Sequence, residues 1–501
     1  MYTTNDDTIC APATVPGTGA ISIIRVSGPK AIEIAAEVVS CKDLADAPGY
    51  TIRFGTVFQA NGKPLDDVLV SIFRAPHSYT GEDSVEISCH ASKFIAEGIM
   101  QLLIKAGART AEPGEFTQRA FINGKMDLTQ AEAVADLIAS QNAAAHRVAM
   151  NQLKGGFSKE LKKMREQMLH IVSLMELELD FSDEEVQFAD RRELDDLLKA
   201  TIKHISTLME SFRLGNVIKN GVPVAIVGAT NTGKSTLLNA LLGEERAIVS
   251  DVHGTTRDTV EETMNIDGIL FRFIDTAGIR QTDETVEKIG IERTYKKLHE
   301  AAIVLAMLDI TRSEAELAES IKEILDKVDL KQQKLIFLLN KCDLTEAGNY
   351  GKDDNSARNN FVNIKNYIVS LIEEHNIKLY GKFQWYEANA KGNLKDAIGI
   401  MPISAKTGEG LDALRTTLSA TQKDLLADSD TTLITNARHY EALSNARDAL
   451  VRVRAGLSDA LPTDLLTQDI REALYHIGSI VGEISTDEVL GNIFRNFCIG
   501  K

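Results

Sequence analysis

Val222-Pro-Val-Ala-Ile-Val227-Gly228-Ala-Thr-Asn231-Thr-Gly233-Lys234-Ser235-Thr236-Leu-Leu-Asn239 runs from an apolar strand through a loop bounded by two glycines into a helix. Strand, Gly-x-x-x-x-Gly-Lys-Ser and helix, in that order, form the context a phosphate-binding loop requires. The glycines let the backbone curl so that successive N–H groups point inward at phosphates. Lys234 adds a point charge on the outer phosphates, and the Ser235 hydroxyl is a ligand for Mg²⁺.

Four further segments follow in the order of a GTPase. Asn265-Ile-Asp267-Gly268 is a hairpin turn signal, and the returning strand Ile269-Leu-Phe-Arg-Phe-Ile274 leads into Asp275-Thr276-Ala277-Gly278. Asp275 is placed to hold Mg²⁺ through water, and the Gly278 N–H to meet a γ-phosphate. Upstream, Gly254-Thr255-Thr256-Arg257-Asp258 offers a threonine hydroxyl to the same ion. The apolar run Lys334–Leu339 precedes Asn340-Lys341-Cys342-Asp343, whose carboxylate accepts from guanine N1 and the exocyclic amine, a pattern adenine reverses. Ser404-Ala405-Lys406 follows Ile400-Met-Pro-Ile403 and offers the Ala405 N–H to the guanine oxygen.

Ras-like proteins orient the attacking water with a glutamine directly after Asp-x-x-Gly and add an arginine finger. Ile279 stands there instead and cannot orient water. Glu287 lies further along the same region with suitable chemistry, although spacing alone favours a surface acid of a charged helix. Asn231 has two readings: its amide oxygen suits a monovalent cation beside the phosphates, and asparagine also tolerates a left-handed turn.

The chain has 501 residues, enough for about three domains. Residues 1–120 read as α/β, with strands at Ala20–Val26, Val68–Phe73 and Ser84–Ser88 and helices at Ala31–Val39 and Phe94–Lys105. Residues 121–217 and 425–501 are helical in character and flank the GTPase segment at 218–424. One helical domain interrupted by an inserted domain accounts for both pieces, since each alone lacks a partner for its apolar face. The fold class expected is α/β plus all-α. No apolar run approaches a spanning helix, and the start is acidic rather than a signal or transit sequence, so a cytoplasmic protein with no membrane attachment is expected. The five cysteines, Cys10, Cys41, Cys89, Cys342 and Cys498, show no metal spacing and read as reduced thiols.

Pro16-Gly-Thr-Gly-Ala-Ile-Ser-Ile-Ile-Arg25-Val-Ser-Gly28, Pro113-Gly-Glu-Phe-Thr-Gln-Arg-Ala-Phe-Ile-Asn-Gly-Lys125-Met-Asp-Leu-Thr-Gln-Ala-Glu-Ala133 and the tail Phe497-Cys498-Ile-Gly-Lys501 resemble the tRNA modification GTPase family MnmE, also called TrmE. The resemblance covers almost the whole chain. It implies an N-terminal folate-binding and dimerisation domain, a helical domain, and a Ras-like P-loop GTPase domain inserted into it. It also implies a homodimer that forms a heterotetramer with an MnmG-type FAD-dependent partner. Together these add an aminomethyl or carboxymethylaminomethyl group to C5 of the wobble uridine of certain tRNAs. The one-carbon unit would come from a tetrahydrofolate derivative, 5-formyl or 5,10-methylene.

Carried over by position, Arg25, Glu86, Lys125 and Lys501 resemble the folate contacts, and Cys498 resembles the family's C-terminal cysteine. Asn231, Ser250, Val252 and Thr255 resemble a K⁺ site, Ser235 and Thr256 match Mg²⁺ ligands, and Glu287 matches the catalytic glutamate. The GTP-binding set implied is Asn231, Thr232, Gly233, Lys234, Ser235, Thr236, Ser250, Thr255, Thr256, Asp275, Thr276, Ala277, Gly278, Asn340, Lys341, Asp343, Ser404, Ala405 and Lys406. The chain departs from the family at Ala229-Thr230, usually Arg-Pro, and at Ala91-Ser92, usually Gly-Gly. A polar segment between Asp343 and Ser404 is also extra.

A net charge of −17 argues against broad electrostatic binding of nucleic acid, so tRNA contact must be local or shared. Lys154, Lys159, Lys162, Lys163 and Arg165, and the trio Arg447, Arg452 and Arg454, are the local candidates. The rival readings are a ribosome-assembly GTPase and a regulatory switch. The first usually carries a separate RNA-binding module, and no Gly-x-x-Gly loop follows residue 425 in a fitting context.

Overall fold

The computed structural model describes residues 7–180, 191–243, 262–274, 298–330, 333–344, 366, 370, 384–385, 398–427, 433–459, 461–484, 487–495, 497 and 500. The chain divides into two compact units. One comprises residues 1–139, 148–209 and 436–501, the other 140–147 and 210–435.

In the first unit, seven strands form a sheet in the order β3 (Val39–Ser40), β4 (Thr51–Phe58), β5 (Pro64–Phe73), β6 (Ser84–His90), β2 (Ile21–Ser27), β1 (Ile9–Pro12) and β7 (Arg109–Thr110). All neighbours are antiparallel except β1 and β7. Val68, Val70 and Ile72 alternate inward along β5 and pack with the helices Ala31–Val38 and Lys93–Lys105, the period-2 pattern of a sheet covered on one face.

The helical part of this unit follows the 3.6-residue period. Helix Gly156–Asp180 buries Phe157, Leu161, Met164, Met168, Ile171 and Met175 at steps of three and four, a stripe that faces its neighbours while lysines take the other side. Helix Ala437–Ser458 does the same with Leu443, Ala446, Leu450 and Val453, and helix Thr463–Val481 with Leu466, Ile470, Ala473, Ile477 and Ile480. Residues from before and after the inserted segment meet at Glu132. Its carboxylate accepts from Arg438 Nε (3.1 Å) and lies 2.6 Å from His439 Nε2. Glu132 thus ties the stretch before the inserted segment to the stretch after it.

The second unit holds a sheet in the order β13 (Gln384–Trp385), β14 (Ile398–Pro402), β12 (Lys334–Asn340), β11 (Ile303–Asp309), β8 (Val222–Val227), β10 (Ile269–Ile274) and β9 (Glu262–Ile266). Every pair is parallel except β9 with β10. That hairpin turns at Asp267 (φ 52°) and Gly268 (φ 81°), as the Asn265–Gly268 signal predicts. Strands β8, β11 and β12 are buried almost throughout because helices cover both faces. Helices Lys234–Leu242 and Leu411–Ala427 lie on one face and Glu314–Leu325 on the other. Such sheets place ligands at the carboxyl ends of their strands.

Candidate nucleotide and one-carbon sites

The loops that leave the carboxyl ends of β8, β12 and β14 converge. After β8, Gly228 (φ 149°) and Gly233 (φ 99°) occupy conformations that disfavour other residues. A Cβ at Gly228 would strike the Met307 carbonyl, and one at Gly233 the Asn340 amide, so at these two positions the loop lies too close to its neighbours for any side chain. Thr232 Oγ1 donates to the Ala229 carbonyl (2.9 Å), and Lys234 Nζ donates to the carbonyls of Gly228 (2.7 Å) and Ala229 (2.9 Å). Asn231 is exposed and left-handed (φ 62°), a conformation that asparagine tolerates. Ser235 lies in the first turn of helix Lys234–Leu242 and Thr236 follows it, which aims the free N–H groups and positive end of that helix at the loop.

Asn340 ends β12 and joins three loops. Its Nδ2 donates to the Thr232 carbonyl (2.7 Å), and its Oδ1 accepts from the Ala405 N–H (2.9 Å). Lys341 follows in a left-handed conformation (φ 69°), its Nζ 2.6 Å from Asp309 Oδ2. Asp343 is oriented by the Ser404 hydroxyl, which donates to Oδ1 (2.8 Å) and accepts from the Thr407 N–H (3.2 Å). Ser404 and Ala405 are buried and Lys406 is exposed. Three of the five segments expected from sequence are therefore brought together by hydrogen bonds. Ser250, Val252, Thr255, Thr256, Asp275, Thr276, Ala277, Gly278 and Glu287 lie outside the described residues.

Sequence reasoning missed Asp309. An acid closing an otherwise apolar strand, Ile303-Val-Leu-Ala-Met-Leu-Asp309, is the signal that was available.

A second polar site lies in the first unit. Arg25 on β2 faces Glu86 on β6 in register. Its Nε (3.0 Å) and Nη2 (2.8 Å) both donate to Glu86 Oε1, so the second carboxylate oxygen is not spent on this arginine. The Arg25 guanidinium lies 5.3 Å from the Tyr79 ring centroid and 5.6 Å from that of Phe116, within cation–π range. Arg25 Nη1 also donates to the Gly500 carbonyl (3.4 Å), which brings the last turn of the chain to its first sheet. Lys125 Nζ donates to the Pro76 carbonyl (3.0 Å). Cys498 and Lys501 lie outside the described residues.

Beneath this site Arg119, only 1% exposed, donates to the Asp7 carboxylate (2.7 Å) and to Glu115 (2.9 Å), which also binds Arg109 (2.6 Å). Burial raises the Glu115 pKa, but hydrogen bonds from Arg109, the Glu112 N–H and Arg119 outweigh it and hold the group below its ordinary value. The cluster fixes the loop and helix that carry Phe116.

The two basic patches differ. Arg447 pairs with Asp448 (2.8 Å), Arg452 with Asp469 (3.0 Å) and Glu472 (2.6 Å), and Arg454 with Asp195 (2.8 Å), so that trio is neutralised where it stands. Arg165 pairs with Glu483 (2.9 Å), whereas Lys154, Lys159, Lys162 and Lys163 are exposed.

No helix among the described residues is long and apolar enough to cross a membrane. Residues 128–498 match the family model for the MnmE helical domain, and residues 8–125 that for the GTP-binding protein TrmE N-terminus. A tRNA modification GTPase MnmE of Bacteroides fragilis is 50% identical over 502 residues, covering 99% of this chain and 100% of that one. One of Bacteroides thetaiotaomicron is 50% identical over 510 residues with the same coverage, and one of Flavobacterium johnsoniae 46% identical over 503 residues, again with 99% and 100% covered.

Proposed function

The chain belongs to the MnmE family of tRNA modification GTPases, and from that premise we propose that it couples GTP hydrolysis to a one-carbon-dependent modification of tRNA. With an MnmG-type FAD-dependent partner it adds an aminomethyl or carboxymethylaminomethyl group to C5 of the wobble uridine. It works as a homodimer within a heterotetramer, in the cytoplasm. Residues 1–120 carry the folate site, 121–217 and 425–501 form the helical domain, and 218–424 form the inserted GTPase domain.

The observation that carries the GTP part is Asn340, which joins the phosphate loop to the Ala405 N–H while Ser404 orients Asp343. With that geometry Asp343 reads the guanine edge, the Ala405 N–H, held by Asn340 Oδ1, turns to the guanine oxygen when nucleotide binds, and the Lys234 ammonium exchanges loop carbonyls for phosphate oxygens. The donor set fits hard cations: the Ser235 hydroxyl beside Lys234 suits Mg²⁺ and the Asn231 amide oxygen suits K⁺. Bound there, the ions would supply positive charge to the phosphate oxygens. Glu287 positions the attacking water, in place of the glutamine that Ile279 replaces.

The folate part is supported by Arg25, held between two aromatic rings and against Glu86, with the Gly500 carbonyl arriving beside it. Planar rings and a carboxylate facing a guanidinium suit a flat pterin with paired N–H donors. Tetrahydrofolate supplies the one-carbon unit when bound.

Titration with 5-formyltetrahydrofolate by calorimetry tests this, with Arg25→Ala and a chain lacking Lys501 alongside. Binding weakened by both changes supports one folate site built from both chain ends. No binding to the unaltered chain overturns the one-carbon reading while leaving the GTPase assignment intact. Folate binding also separates this reading from a ribosome-assembly GTPase or a regulatory switch.

A further inference from the structure

We propose that Asp309 is a positioning residue of the nucleotide site, a single carboxylate that orders cations reaching both the guanine-reading segment and the phosphate loop. It rests on the reading of this site as a guanine site.

Asp309 ends β11 and is 5% exposed. Its Oδ1 accepts from the Thr311 N–H (3.1 Å) and hydroxyl (2.6 Å), a local turn that fixes the side-chain direction. Its Oδ2 accepts from Lys341 Nζ (2.6 Å) and lies 4.0 Å from Arg312 Nε. Arg312 in turn donates through Nη2 to the carbonyl of Thr230 (2.7 Å), the residue before Asn231 in the phosphate loop. Both carboxylate oxygens are thus engaged, one by its own turn and one by the cations. Burial pushes the Asp309 pKa up, and the bonds from Lys341 and Thr311 more than offset it, so the group stays below its ordinary value and anionic.

A lysine side chain otherwise samples many rotamers. Pinning its ammonium on Asp309 removes that freedom before nucleotide arrives, and it leaves the methylene stem as the surface on offer. Lys341 stands between Asn340, which is bonded to the phosphate loop, and Asp343, which Ser404 orients and which on the guanine reading meets the purine edge. The stem therefore borders the plane the base must occupy. Arg312 fixes the Thr230 carbonyl in the same way on the phosphate side.

GDP carrying a fluorescent methylanthraniloyl ribose tag is titrated onto the full chain, unaltered and as Asp309→Asn, Lys341→Ala and the double variant. Loss of a charge-assisted hydrogen bond should raise the Kd on the order of tenfold in Asp309→Asn. The same substitution should cost less once Lys341 is alanine, leaving only the share that passes through Arg312. The equivalent hypoxanthine nucleotide, which lacks the exocyclic amine, should lose affinity by the same factor, since Asp309 acts through Lys341 and not on the base edge. Arg312→Ala, a surface change, should also raise the Kd, and it keeps the test decisive if Asp309→Asn fails to fold. Unaltered affinity in Asp309→Asn or in Arg312→Ala, or independent additive losses in the double variant, overturns the inference. No binding by the unaltered chain overturns the guanine reading and this inference with it.

Discussion

Asn340 Nδ2 donates to the Thr232 carbonyl at 2.7 Å, so the residue that opens the segment after β12 also supports the loop after β8. Asn340, Thr232 and Ala405 are at most 4% exposed, so Asn340→Ala leaves a buried carbonyl and a buried N–H without partners. Each costs about 1–3 kcal/mol. Nucleotide affinity should fall on the order of a hundredfold, with a lower unfolding temperature for the unliganded chain. Calorimetric titration with GDP checks this, and near-normal affinity would mean that the two loops hold their shape without the bridge.

Gly500 (φ 93°) sits where any Cβ would collide with the Pro12 carbonyl. Gly500→Ala should therefore lift the C-terminal turn away from β1 and remove its carbonyl from Arg25, while the nucleotide site lies in the other unit. The expected result is 5-formyltetrahydrofolate binding at least tenfold weaker, with GDP affinity unchanged. Equal loss at both sites would point to general misfolding.

Glu132 is 8% exposed between Arg438 and His439. Burial pushes its pKa up, but the charges and hydrogen bonds of His439 and Arg438 outweigh burial and bring it from 4.5 to about 2. A depressed folded-state pKa contributes stability above the unfolded value that is lost as pH falls through the folded one. The loss thus falls between pH 4.5 and about 2, and amounts to on the order of 3 kcal/mol. Thermal unfolding followed across that range should show a steep acid limb that is shallower in Glu132→Gln, whose neutral side chain has no such proton to gain. Parallel limbs in both proteins would remove Glu132 from the acid response.

Much of this architecture is legible in sequence where local chemistry and global position agree. The glycines at 228 and 233, the Asn-x-Asp-Gly turn at 265–268 and the segments after β12 and β14 each carry a backbone or base-reading demand that few residue types meet. Strand β4 is not legible in that way. Its Ile52, Phe54 and Phe58 are exposed and Val57 alone of its apolar side chains enters the core, so the strand lacks the inward alternation that marks β5. Asp309 escapes for a different reason. Its meaning lies in Lys341, a partner 32 positions away, and no spacing rule links them. The arginines at 447, 452 and 454 mislead for the same reason, because their neutralising carboxylates come partly from other helices.

Glu287 and Asn231 are given separate tasks in hydrolysis, and the two separate experimentally. If Glu287 positions the attacking water, Glu287→Ala should reduce kcat by a factor on the order of 10²–10⁴, the usual contribution of a positioned acid or base. GTP affinity should stay near normal, because the residue acts only as the γ-phosphate is attacked. If the Asn231 amide oxygen holds K⁺, turnover should be high in K⁺ and low in Na⁺, and Asn231→Ala should be slow in both. Lys234, which donates to the neighbouring loop carbonyls, still supplies one positive charge in that variant, so binding should survive while the cation response disappears. Equal rates in K⁺ and Na⁺ for the unaltered chain would remove the cation from the mechanism and return Asn231 to a turn residue at φ 62°. Near-normal turnover of Glu287→Ala would leave the water to another group of the same loop.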